Sequence, residues 1–245
     1  MRGLVAIYRR ELAGFFFTPL AWVLLFLALL VKGLFFVTFV EGLGGNVDIA
    51  LSYSYGGSWT FWALAAFLPP LLTMRLISEE SRSGVLEFLL TAPVTDAAIV
   101  TAKHLAATTV MAVLWSCLLV YALTIESLGT TPDWNAILGG YVGAILVSGL
   151  FCGVGVLWSA VFSTPLLAAF FAFLTNLLFL LIPYLGDRFS ATWLGGLIER
   201  FDVTGHFRHS FLLGIFDTAR LVFFLGWTAL FVFLAVRVLE TRRWR

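Results

Sequence analysis

The sequence predicts an all-α integral membrane protein with six transmembrane helices, and three observations carry that prediction. No Asp, Glu, Lys or Arg occurs anywhere from Trp134 to Gly186. A bilayer crossing needs about 20 predominantly apolar residues, so this run holds two crossings and the turn between them. Hydrophobic residues make up 61% of the chain and charged residues 12%, against roughly 25% charged in soluble domains. Charges and turn residues then divide the remainder into four further apolar segments. A soluble helix must keep one polar face for water, and these segments keep none. The chain reads as a single membrane domain, 1–245, with no room for a sizeable soluble one.

Residues 1–18 repeat with a helical period: Leu4, Val5, Tyr8, Leu12, Phe15 and Phe16 share an arc that excludes Arg2, Arg9 and Arg10. That pattern predicts an amphipathic helix lying in the membrane interface, its basic side toward anionic headgroups. Tyr8, Arg9, Arg10 and Glu11 form its polar contacts. The polar residues at 9–11 also interrupt the pattern expected of a cleaved signal peptide. Thr18-Pro19 predicts a bend into span one, residues 19–40. Lys32 is the one cation within that span. It is expected to snorkel or to pair with Glu41, and as an intramembrane charge it is also a candidate pathway residue.

Span two is placed at 59–77. The polar loop 78–97 follows, with Glu79, Glu80 and Arg82 just beyond the membrane. A short two-faced helix is expected next. Ser83, Gly84, Glu87 and Thr91 lie on one side, and Val85, Leu86, Phe88, Leu89 and Leu90 on the other. Pro93 ends it, and Asp96 is expected to cap the next helix. So short an apolar helix is marginal alone, so it must dock on lipid, on its own spans or in a groove of another protein.

Span three covers 99–125, span four 135–162 and span five 165–185. Ser163-Thr164-Pro165 divides the last two, because proline suits a first helical turn. The outer loop 186–219 should hold one or two short helices before span six, 220–236. His206 and His209 would share a face there, but too few ligands surround them for a metal site.

Six spans put both termini on one side. Ten of the fifteen Lys and Arg residues fall on that side, so the positive-inside rule puts the termini in the cytoplasm. The net charge of +1 and the lack of a basic run give no reason to expect a nucleic-acid partner. Cys117 and Cys152 lie inside spans and read as small packing residues. No cofactor or metal is expected in this chain.

Catalysis is not expected either. A Walker A loop needs G-x-x-x-x-G-K-[ST], and neither Lys32 nor Lys103 stands in one. The zinc-protease and serine-hydrolase motifs are missing too. The spans hold no carboxylates of the kind proton-coupled carriers use.

The stretch from Arg75 to Lys103 reads R-x3-E-E-x-R-x-G-x-L-E-x-L-L-T-A-P-V-T-x7-K. It resembles the cytoplasmic loop of type-2 ABC exporter permeases, in particular the six-span gliding-motility (GldF-like) and copper-enzyme-maturation (NosY-like) groups. Tyr8-Arg-Arg-Glu-Leu12 with Phe15-Phe-Phe-Thr-Pro-Leu20 resembles their entry into span one. His206-Phe207, Gly214-Ile-Phe-Asp217 and Leu221-Val-Phe-Phe224 resemble their approach to span six. Gly84-Val85 departs from a common Gly-Thr.

The resemblance implies a membrane subunit of an ATP-driven exporter in a bacterial inner membrane, paired with a second permease copy as a homodimer or related heterodimer. A cytosolic ABC ATPase would hold ATP and Mg. The helix from about Arg82 to Thr91 would couple the two. Glu79, Glu80, Arg82, Gly84, Leu86, Glu87, Phe88, Leu90, Thr91 and Pro93 would form the contact. Alternatives are a mechanotransmitting subunit acting on a periplasmic partner without moving cargo, and a stand-alone channel or secondary carrier.

Overall fold

The computed structural model describes residues 2–42, 47–85, 94–189 and 200–243. Six of its helical stretches are long and apolar enough to cross a membrane, as the sequence predicts. The first helix, α1 (Arg2–Phe17), packs against the third span rather than continuing into the first. Thr18 makes the break: its Oγ1 donates to Gly14 O at 2.6 Å, and Pro19 opens the next helix. Span one is α2 (Pro19–Gly42).

The segment before span two is not a plain loop. It forms α3 (Val47–Ser52) and then a π-helical turn, Tyr53–Gly57, which buries Ser54, Tyr55 and Gly56. Gly56 has φ 131°, a conformation glycine adopts without steric cost. Trp62 Nε1 donates to its carbonyl at 3.0 Å. Span two proper is α4 (Trp59–Thr73), with Pro69 and Pro70 inside it. A short helix, α5 (Ser78–Ser83), continues beyond its end.

Span three is α6 (Asp96–Ser116) followed, after a break at Cys117-Leu118, by α7 (Leu119–Ser127). Its cap differs from the expectation. Thr95 is the N-cap, its Oγ1 accepting from Ala98 N, and Asp96 is the first helical residue. Thr95 has the extended backbone a cap needs, so the hydroxyl rather than the carboxylate takes the orphan N–H.

Span four, α8 (Trp134–Val161), is capped by Asp133, whose Oδ1 accepts from Asn135 N and Ala136 N. It is the core of the bundle, touching spans two, three, five and six. Its glycines make that possible, since small residues let membrane helices approach closely. A Cβ on Gly140 would meet Tyr55 Cβ at 2.7 Å, and one on Gly143 would meet Phe211 Cβ at 2.7 Å.

The turn at Ser163–Thr164 leads into span five, α9 (Pro165–Phe189). Beyond it come α10 (Val203–Arg208), a 3₁₀ turn (Phe211–Leu213) and span six, α11 (Thr218–Arg243). The short outer helix is there, but it is keyed into the bundle. Phe207 and Phe211 are fully buried, with Phe207 against Phe61 and Trp62. His206 packs on Phe223 with 4.3 Å between ring centres and the planes tilted by 38°, while His209 is exposed. No group of three His, Cys, Asp or Glu that could hold a metal occurs among the described residues.

Candidate functional site

Polar chemistry concentrates where span two ends. Arg10 from α1 and Arg242 from span six both reach α5, so α1 and the last turns of span six meet at this end of the bundle. The start of α5 is held by span four. Ser159 Oγ accepts from Ile77 N at 3.0 Å and Ser78 N at 3.1 Å, and donates to Met74 O at 3.2 Å. One hydroxyl thereby satisfies two of the N–H groups that a helix start leaves unpaired. Arg242 donates to Ser81 Oγ and, at 2.9 Å, to Val161 O.

The two adjacent glutamates face opposite ways. Glu79 is exposed and lies 3.8 Å from Arg75. Glu80 turns inward, where its Oε1 takes Lys103 Nζ at 2.9 Å and Arg10 Nη2 at 2.7 Å. Glu11 Oε1 meets the same two cations, Lys103 at 2.9 Å and Arg10 at 2.5 Å. Lys103 has 0% side-chain exposure. Two carboxylates and two cations from α1, α5 and span three thus form one neutral cluster, with Lys103 buried at its centre and Arg10 on its open side. Burial pushes the Glu11 carboxyl up, but the charges and hydrogen bonds of Lys103 and Arg10 outweigh it and hold it below 4.5. Tyr8 OH adds a 3.0 Å hydrogen bond with Thr109 Oγ1.

An open groove of about 430 Å³ runs beside this cluster. Phe15, Ala21, Leu71 and Leu72 line its apolar side, and Arg75, Glu79 and Glu80 its polar side.

Several predicted contact residues come together here, and others separate. Tyr8, Arg10, Glu11 and Glu80 bond across elements, Arg10 from an exposed position, whereas Arg9, Glu79 and Arg82 stay exposed and make no such cross-element bond among the described residues. The expected helix from Arg82 to Thr91 is not continuous. Arg82 and Ser83 belong to α5, and Gly84 ends it in the left-handed region at φ 76°, a C-terminal stop. Leu86, Glu87, Phe88, Leu90, Thr91 and Pro93 lie outside the described residues. Sequence reasoning did not foresee the bracing roles of Lys103, Ser159 and Arg242. A lysine in the second turn of a largely apolar helix was the available signal, since its counter-ions, Glu11 and Glu80, come from other elements.

Lys32 sits at the other end of the molecule and neither snorkels nor pairs with Glu41. It is 2% exposed, donates to Ser54 O at 2.9 Å, and lies 5.4 Å from the Phe61 ring centre and 6.0 Å from that of Trp115. The π-turn breaks the helical ladder there, and within a membrane a freed carbonyl needs a donor from the protein. Lys32 supplies one. Tyr55 OH also anchors the turn, donating to Trp115 O at 3.1 Å.

These features define a multi-pass α-helical membrane protein whose charge cluster lies where span two ends. The family model described as ABC-2 family transporter protein matches residues 49–239. The chain belongs to that family, and so is the permease subunit of an ABC transporter, a membrane subunit that partners an ABC ATPase. Among curated proteins no match was found.

Proposed function

We propose that this permease couples ATP hydrolysis in a separate cytosolic ATPase, which holds the ATP and Mg, to export across a bacterial inner membrane. Both termini would be cytoplasmic, and a second permease copy would complete the assembly. The observation that carries this reading is the brace at α5. Glu80, Lys103, Arg10, Glu11, Ser159 and Arg242 tie one short helix to α1 and to spans three, four and six. A push on that helix, or on the segment after Gly84, must reach most of the bundle. Arg82, Glu79 and Gly84, with Leu86, Glu87, Phe88, Leu90, Thr91 and Pro93 following, would meet the ATPase. A short six-span permease of the gliding-motility or copper-enzyme-maturation kind suits the N-terminal motif and the span count.

The test is hydrolysis by the assembled complex in liposomes. Glu87→Arg and Phe88→Asp should insert normally and still co-purify with an ATPase, yet break the link between nucleotide turnover and cargo movement. Retention of full coupling in both variants would contradict the docking assignment.

A further inference from the structure

Span two carries adjacent prolines, Pro69 and Pro70, within its helix. Pro70 has no N–H, so the carbonyl four residues earlier, on Ala66, loses its intrahelical partner. Lipid offers no replacement donor. The replacement comes from span five, where Asn176 Nδ2 donates to Ala66 O at 3.2 Å. Asn176 has 0% exposure, and its Oδ1 has no hydrogen-bond partner. Beside it Phe67 and Phe173 meet edge to face, 5.9 Å between centres, joining the same two spans. A buried, half-satisfied amide is costly in an apolar setting, and packing alone does not require one, because leucine would fill the same volume. The matched pair, a missing N–H on one span and a surplus N–H on the next, does account for it.

We propose that Asn176 is a positioning residue that sets the bend of span two by standing in for the N–H that Pro70 lacks. It thereby fixes the angle at which α5 leaves the membrane. Little chain intervenes: Met74 N donates to Pro70 O at 2.9 Å, and Ser78 opens α5. This role does not depend on the ATPase reading and would stand if that reading failed.

The experiment is a double-mutant cycle on the full chain in lipid nanodiscs, comparing wild type, Asn176→Ala, Pro70→Ala and the double variant. Pro70→Ala restores a backbone donor to Ala66. Two quantities are read. One is the thermal midpoint. The other is the distance between spin labels on cysteines placed at Ser83 and Leu167, with Cys117 and Cys152 replaced by alanine. Asn176→Ala alone should lower the midpoint by several degrees and shift or broaden the distance distribution. In the Pro70→Ala background the same substitution should move neither. Equal effects in both backgrounds would overturn the proposal, as would a lowered midpoint with an unchanged distance. Should Asn176→Ala fail to insert, Asn176→Ser, which keeps a shorter donor, should give smaller shifts of the same kind.

Discussion

Lys103 has no exposed surface, and its ammonium is held by Glu11 and Glu80 at 2.9 Å each. Removing it would leave two largely buried carboxylates sharing one half-exposed cation, Arg10, and breaking a buried charge pair costs roughly 3 to 5 kcal/mol. Lys103→Met should therefore cost about 3 kcal/mol in an unfolding measurement, and Lys103→Arg much less. The cluster also gives a pH signature. The folded state holds Glu11 below its ordinary 4.5, so its contribution is complete above that value and is lost as pH falls through the lower folded value. Thermal midpoints taken downward from pH 6 should begin to drop near pH 4.5, and Glu11→Gln should blunt the drop. At the opposite end, Lys32→Met would strip Ser54 O of its donor. An unsatisfied buried group costs about 1 to 3 kcal/mol, and an unfolding midpoint within error of wild type would contradict that role. In sequence, Lys32 reads as a charge seeking water or a carboxylate. Its actual partner is a carbonyl freed by a π-turn, which no residue pattern announced.

At the scale of elements, the boundaries that were legible rest on chain stiffness and charge. Pro19 and Pro165 open helices where the sequence places them, and the uncharged stretch divides into spans four and five. What was not legible depends on partners distant in sequence. Residues 47–57 look like a connector, yet they fold inward because Gly140 leaves space for Tyr55, while Phe207 closes over Gly56. The glycines of span four are thus the key to packing at this end of the bundle. Gly143→Val would force a side chain into Phe207 and Phe211, and overpacking of this kind costs typically 1 to 3 kcal/mol. Gly226, where an added Cβ would meet nothing within 4 Å, should accept alanine without loss. Comparing the unfolding midpoints of the two variants separates close packing from helix propensity.

Across the whole molecule, burial is uneven. Span four is the most enclosed, while spans one, five and six leave most of their apolar surface outward, available to lipid and to the second permease copy proposed above. Six crossings and the all-α class followed from composition and charge spacing alone, because the bilayer imposes both. The candidate site was legible only in part. The loop motif drew attention to Glu79, Glu80 and Arg82, but which of them face inward depends on Lys103 and Arg10, brought together by folding. On the function proposed above, α5, braced by Lys103, would carry force between ATPase and bundle. The most direct measurement of this is the ATPase rate of the assembled complex in liposomes with wild-type, Lys103→Arg or Lys103→Met permease. Lys103→Met should still bind the ATPase but lose permease-dependent control of hydrolysis, while Lys103→Arg should largely retain it. Unaltered control in Lys103→Met, or a wild-type permease that recruits no ATPase, would contradict that role.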